Sequence, residues 1–207
     1  MGKVLTHMTM SLDGFIAAPD DNPGELFDWY QAGDVTVEHA SETLEPFHVD
    51  PASAEVLRDL LGTGGALVAG RHLFDITDGW GDQHPAGAKV VVVTHRPPDD
   101  AAARWPRTTF VGSVAEGVAR AKELAGDADV TLASPTIIQQ ALDLALVDEI
   151  AVSLVPVLFG EGKTYFGRLA DGHLMLEDPE IVQGRRAVHL RFKVRRAGAK
   201  SQLERAR

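Results

Sequence analysis

Apolar positions along the chain fall into short dense runs and into stretches of helical spacing, and the two patterns take turns. Lys3 to Met10 reads as a strand, followed by a polar loop rich in proline and glycine to about Gly33. Residues 34–49 are ambiguous, with a hairpin as the candidate. Asp50-Pro51 places a capping carboxylate before a proline at the first helical position, where the missing N–H costs nothing. That helix carries Val56, Leu57, Leu60 and Leu61 on one side and stops at Gly62. Ala66–Ala69 and Lys89–Thr94 read as buried strands, and Thr108–Val111 as another. Ser113 and Glu116 then form a capping box for a helix with Val114, Val118, Ala121 and Ala125 at helical spacing. Val130–Leu132 is a strand that turns at Ala133-Ser134-Pro135 into a helix running to about Leu146. Ile150–Phe159 is a near-continuous apolar run, as expected of a central strand covered on both faces. From Val188 to Val194 apolar and basic residues alternate, the mark of a half-exposed antiparallel strand.

Strands and helices alternate first and strands follow strands at the end. The pattern predicts an α/β fold of three layers, α/β/α, around a mixed, mainly parallel sheet with antiparallel C-terminal strands. Residues 1–197 are expected to make one domain and 198–207 a mobile basic tail. The 207 residues suffice for one well-filled core. No apolar run approaches the ~20 residues of a membrane span, and no signal peptide precedes the first strand, so a cytoplasmic protein without membrane contact is expected.

Composition narrows the chemistry. The absence of cysteine excludes disulfides, thiolate zinc sites and cysteine nucleophiles. The eight histidines show no spacing for a metal, so no metal site is expected. A net charge of −10 argues against nucleic acid as a partner, because that affinity rests on cations set against phosphates. The charge is uneven: Arg185 to Arg207 holds nine Lys or Arg and one acid, Glu204. A solvated edge strand and tail explain this more simply than an anion site does.

In open α/β sheets ligands bind beyond the carboxyl ends of the strands. The turns at those ends are Gly70-Arg71-His72, Thr94-His95-Arg96-Pro97, Ala133-Ser134-Pro135-Thr136 and Phe159-Gly160-Glu161-Gly162-Lys163. Arg71 and Arg96 suit a terminal phosphate, which a guanidinium fork pairs in bidentate fashion. The helix start at Ser134 offers unpaired N–H groups and the positive end of a dipole. Gly160 and Gly162 permit close approach of a ring or diphosphate to the backbone. Together the turns describe a groove for an extended polyanion.

Ser11-Leu-Asp-Gly-Phe-Ile-Ala17, Gly70-Arg71, Thr94-His-Arg96, Leu146-Val-Asp-Glu-Ile150 and Pro156-Val-Leu-Phe-Gly-Glu-Gly162 stand in the order and spacing of the dihydrofolate-reductase-like family. The resemblance runs from about Val4 to Val194 and is closest to the C-terminal reductase domain of the riboflavin deaminase–reductase and its stand-alone bacterial relatives. It implies a dihydrofolate-reductase-like fold, NADPH as hydride donor, a small-molecule substrate and a homodimer. By resemblance Gly70, Arg71, His72, Thr94, His95 and Arg96 hold the adenosine and its 2′-phosphate. Ser134, Pro135, Thr136 and Ile137 face the pyrophosphate, and Phe159, Gly160 and Gly162 flank the nicotinamide with the Ser11–Gly14 loop. Asp13, Ser11 and Trp80 make up the expected catalytic set. Asp13 either meets the substrate and its proton or serves the Asp-Gly turn. Trp80 either walls the pocket or packs, and Asp28-Trp29-Tyr30 either forms a flap or packs.

Two departures from the family are visible. Ala133-Ser134 replaces the usual Gly-Gly, giving a modified diphosphate turn in which the Ser134 hydroxyl can cap the helix or bond a phosphate. The first helix, near Ser53–Glu55, lacks the acid that binds a pterin, so a folate substrate is not expected. Asp148-Glu149 sits at the wrong end of its strand for the site and reads as structural. The function implied is an NADPH-dependent reductase of a small heterocyclic or carbonyl/imine substrate, with the ribosylamino-uracil reductase type of riboflavin biosynthesis among its forms. The alternatives are a non-catalytic nucleotide- or small-ligand-binding protein on the same fold and a structural dimer module.

Overall fold

The computed structural model describes residues 2–41, 44–170 and 172–195. Along the chain, β1 (Val4–Ser11), β2 (Phe15–Ala17) and a 3-10 segment (Gly24–Gln31) precede β3 (Val35–Val37) and β4 (Phe47–Val49). Then come α1 (Pro51–Thr63), β5 (Gly64–Gly70), α2 (Arg71–Ile76), a second 3-10 segment (Asp78–Asp82) and β6 (Lys89–Val93). They are followed by α3 (Ala101–Arg104), β7 (Thr109–Val111), α4 (Val114–Ala125), β8 (Asp129–Leu132), α5 (Pro135–Asp143) and β9 (Glu149–Val155). The last strands are β10 (Lys163–Thr164), β11 (Glu180–Gln183) and β12 (Val188–Lys193).

Eight strands form one sheet in the order β11-β12-β9-β1-β8-β5-β6-β7. From β9 across to β7 every pairing is parallel, while β12 and β11 join antiparallel. The anticipated mixed sheet with an antiparallel end is present. Residues 35–49 do form a hairpin-like pair, with Val35 opposite Val49.

Alternation along the strands sends their side chains to two different layers. Val4, Val68, Val91, Val130, Val152 and neighbours pack under α4 and α5. The opposite face carries Val155, with Ala54 and Leu57 of α1, and separately Val90 and Val92 with Phe74 of α2. Asp50 caps α1 as expected, its carboxylate accepting from the Ala52 and Ser53 N–H groups. Ser113 caps α4 from its side chain.

Trp29 settles the flap question against a flap. Its ring is fully buried, its Nε1–H donates to Thr9 Oγ1 at 3.2 Å, and it packs on Tyr30 and edge-on to His189. The 3-10 segment therefore covers a core cluster shared by α1 and the sheet. The short helix α2 was not anticipated, because six residues leave little periodicity to read. The apolar run after Ile150 leaves the sheet at Val155, before Pro156, which has no N–H to extend a ladder. The basic tail at 198–207 lies outside the described residues. Among the described residues no helix is long and apolar enough to cross a membrane.

Replacing Trp29 with alanine empties a fully enclosed site and leaves Thr9 without its donor. A loss of about 3–5 kcal/mol in urea denaturation is expected, and a loss below about 1 kcal/mol would contradict this reading.

Candidate cofactor and active site

Because β9, β1, β8, β5 and β6 are parallel, their carboxyl ends lie along one edge of the sheet. Read along that edge, the turns are Phe159–Gly162, Ser11–Gly14, Ala133–Thr136, Gly70–His72 and Thr94–Arg96. The structure brings neighbouring turns into contact, and the bonds between them give several residues roles that composition could not show.

Asp13 is a clamp. Its Oδ1 accepts from Ser11 Oγ at 2.6 Å and from the Phe159 N–H at 3.2 Å, while Oδ2 accepts from the Gly160 N–H at 2.7 Å. Ser11 Oγ in turn accepts from the Phe15 N–H. Donation from Ser11, assisted by the backbone N–H groups, holds the Asp13 carboxyl below the usual carboxylate range. An exposed carboxylate fixed in this way stays ionised at neutral pH and orients the 159–160 backbone; it is a poor proton donor. Gly160 meets the clamp at φ +75°. Gly162 serves a different contact, the pairing of β10 with β2, since a Cβ there would stand 2.2 Å from the Ala17 carbonyl oxygen.

At the centre of the edge, Ser134 departs from the expected role. Its Oγ accepts from the Gly70 N–H at 3.0 Å and forms no cap on α5, whose Ile137 and Ile138 N–H groups bond the Ser134 carbonyl instead. The residue is buried, at φ +80° and ψ +127°, a backbone that glycine adopts freely and other residues do not. A Cβ on Gly70 would lie 3.3 Å from Ser134 Oγ. The turn thus retains a glycine's conformation, held by a serine whose hydroxyl is tied to β5.

Arg71 opens α2, and its guanidinium donates to Asp75 Oδ1 at 2.7 Å and to the Arg96 carbonyl. The two arginine turns therefore meet, through the backbone of one and the side chain of the other. Thr94 Oγ1 accepts from the Arg96 N–H at 3.1 Å, and the side chains of His95 and Arg96 are exposed. His72 Nε2 lies 2.9 Å from Asp21, which also pairs with Lys163. Asp21 was not among the residues that the sequence singled out, and Lys163, which closes the Phe159–Gly162 turn, was given no role there.

Trp80 is not gathered into this edge. Its ring packs on His84, with centroids 5.0 Å apart, and joins the cluster of Phe74 and Trp105 over β6, three strands from β1. None of its described contacts reaches Ser11 or Asp13, and packing accounts for it. Asp148 and Glu149 lie at the opposite edge, where Asp148 accepts from the Val4 N–H and Glu149 pairs with Lys3 at 3.0 Å.

A second polar array lies beneath α1. Ser53 Oγ donates to Asp50 Oδ2 at 2.6 Å. Having used its proton, it accepts from His189 Nε2–H at 2.9 Å. His189 Nδ1 then accepts from Ser153 Oγ, and Ser153 accepts from His7 Nε2–H, both at 2.9 Å. Burial depresses both histidines, His7 to about 4 with help from His189 and Arg191, so both rings are neutral at pH 7. On α1, Glu55 is exposed and Ser53 stands buried over the sheet. On β1 the signal for this array was His7, a titratable residue inside a largely apolar strand. Among the described residues no group of three or more His, Cys, Asp or Glu is placed to hold a metal.

The family profile of the RibD C-terminal domain matches residues 2–190. No curated protein sequence matches the chain. Among solved structures, the fold is similar to a protein named for riboflavin biosynthesis from Shewanella sp. PV-4, with 20% identity and a TM-score of 0.65 over 94% of this chain and 99% of that one. Dihydrofolate reductase from Enterococcus faecalis, complexed with NADP(H) and RAB-propyl, has 16% identity and a TM-score of 0.58 over 94% and 98%. RibD of Acinetobacter baumannii has 15% identity and a TM-score of 0.57 over 94% of this chain and 58% of that one.

Two outcomes are expected. Ser134→Ala keeps the unfavourable backbone and loses the Gly70 bond, whereas Ser134→Gly loses the bond but relaxes about 1–3 kcal/mol of strain. Chemical denaturation should therefore rank glycine above alanine here, the reverse of their usual order. For His7 the unfolded chain takes up a proton near pH 6.5 and the folded chain only near 4. Its contribution to stability is full above pH 6.5 and is lost as the pH falls toward 4. The fall in urea midpoint across that window should be shallower in His7→Phe; equal slopes would refute the neutral, partly buried ring. With a profile match spanning most of the sequence and a fold similar to these structures, the chain belongs to the RibD C-terminal domain family and has a dihydrofolate-reductase-like fold.

Proposed function

We propose that the chain is an NADPH-dependent reductase of a small heterocyclic or carbonyl/imine substrate, and that it works as a homodimer. The observation that carries this reading is the single row of strand-end turns from Phe159 to Arg96, with an apolar and glycine-lined end beside Ser11–Gly14 and a cationic end at Arg71 and Arg96, where His95 is exposed between them. A dinucleotide has the same polarity along its length. The family membership and a structural relative complexed with NADP(H) support it.

The residues present fit such a cofactor in part. The space beside Gly160 is open, with no atom within 4 Å of where a Cβ would stand. At the other end Arg71 holds Asp75 and the Arg96 carbonyl, bonds that a 2′-phosphate would have to compete with. Bound there, NADPH supplies a hydride. The chain's own part is to hold and orient: Arg71, His72, Thr94, His95 and Arg96 at the adenosine end, Ser134 to Ile137 at the diphosphate, and Phe159 and Gly160 at the nicotinamide, with Gly162 keeping β10 against β2 beside them. Asp13 fixes the Phe159–Gly160 backbone against Ser11, so its carboxylate acts by positioning. Reduction of the ribosylamino-uracil type of substrate, as in riboflavin biosynthesis, is the specific form that the family suggests.

A non-catalytic ligand-binding protein is the second reading, and Ser134 favours it, because its Cβ and hydroxyl occupy the turn that would face the diphosphate. Thermal unfolding with NADPH and with NADH separates the two. Binding to the native state at a hundred times Kd adds about 2.7 kcal/mol, several degrees for a chain of this size. The expected result is a larger shift with NADPH than with NADH, with the difference lost in Arg71→Ala, together with oxidation of NADPH by an imine or quinone probe. A shift without oxidation by any probe would favour the binding protein. No shift with either nucleotide would remove the cofactor from the reading. Light scattering tests the dimer, which should give twice the 22.2 kDa of one chain.

A further inference from the structure

Beneath α1, away from the row of strand-end turns, lies a cavity of about 190 Å³. Its floor is the face of the sheet carrying His7, Ser153 and His189, and its mouth is rimmed by Glu55 and Asp59 of α1, Glu180 of β11 and Arg191 of β12. Two independent properties of this cavity point to the same occupant.

The first is the direction of the hydrogen-bond chain. Asp50 is an acceptor only, so Ser53 must donate to it, and every later bond is then fixed in sense back to His7. His7 ends the chain with its Nε2–H committed to Ser153. Its Nδ1 is left as a bare lone pair with no partner among the described residues, on a ring that lines the cavity. An acceptor in that setting calls for an N–H or O–H donor.

The second is charge and shape. Arg191 is committed to Asp59 at 2.5 Å, and Glu55 and Glu180 add two further carboxylates at the mouth. Three acids against one guanidinium favour a cation and repel an anion. Val56, Leu60 and Val182 supply apolar walls, and a cavity of roughly 150 Å³ accepts a benzene ring. One planar ring with a charged N–H group fits the volume.

We propose that this cavity binds a small planar organic cation of the amidinium or guanidinium class, with His7 Nδ1 as acceptor and the Glu55–Glu180 rim as counter-charge. Asp50, Ser53, His189 and Ser153 are positioning residues that hold His7 in the accepting tautomer. The proposal concerns a different place from the cofactor row and does not depend on the reductase reading.

Benzamidine is the probe and benzoate its control of like size and opposite charge. Titration calorimetry should show saturable one-to-one binding of benzamidine and none of benzoate. The ¹⁵N resonance of His7 Nδ1 should move from the free toward the hydrogen-bonded position on titration, which a merely structural histidine would not do. Leu60→Trp, which fills the cavity without touching the hydrogen-bond chain, should weaken binding by at least about tenfold, or about 1.4 kcal/mol. His7→Phe should weaken it as well. The proposal fails if benzamidine does not saturate, if benzoate binds equally, or if both variants bind as the parent does while the His7 resonance stays still.

Discussion

The carboxylate of Asp50 ties together two parts of the molecule that are far apart in sequence. One oxygen accepts from the first-turn N–H groups of α1, and the other accepts from Ser53 and from the Arg185 N–H in the turn between β11 and β12. Burial opposes ionisation there, and these donors outweigh it, holding the carboxyl below its ordinary range. The consequence is directional. An acceptor-only group at one end of a chain of amphoteric hydroxyls and imidazoles decides which atom carries each proton along it. The start of α1, the turn between β11 and β12 and the tautomers of two neutral histidines all answer to that one charge.

The opposite side of the site is organised by the same kind of group used differently. Asp13 is exposed, yet its two oxygens gather Ser11 and the Phe159 and Gly160 N–H groups, and so bind the end of β1 to the loop after β9. Asp21 does likewise between His72 and Lys163. In both cases a short loop carboxylate does what a longer secondary element would do elsewhere. The strand ends along the edge are therefore held in register by side-chain bonds as well as by the sheet.

The alternation of patterns along the chain was enough to recover the layered sheet, the caps at Asp50 and Ser113, and the row of turns, because each of these is written in contiguous residues. What escaped was written across distance. Asp13 meets residues 159 and 160, Ser53 meets His189, and Thr6 meets Tyr165, pairs that only the closed sheet brings together. Trp29 shows the same limit from the other side. An aromatic in a Pro/Gly-rich loop reads equally well as a flap or as core, and its partner, Thr9, lies on a strand whose polar period-two face was hidden inside an apolar context.

Ser134 is the place where the local rule and the fold disagree most openly. A serine at φ +80° costs energy that glycine would not, and its hydroxyl recovers part of that cost by accepting from the Gly70 N–H. The bond joins the end of β8 to the end of β5, neighbours in the sheet, and so ties the turn that resemblance assigned to a diphosphate. A glycine pair lets the backbone yield to an arriving diphosphate; a serine bonded across the strands does not. Whatever this protein binds along that edge must take the turn as it stands, with its backbone and its hydroxyl already committed to β5.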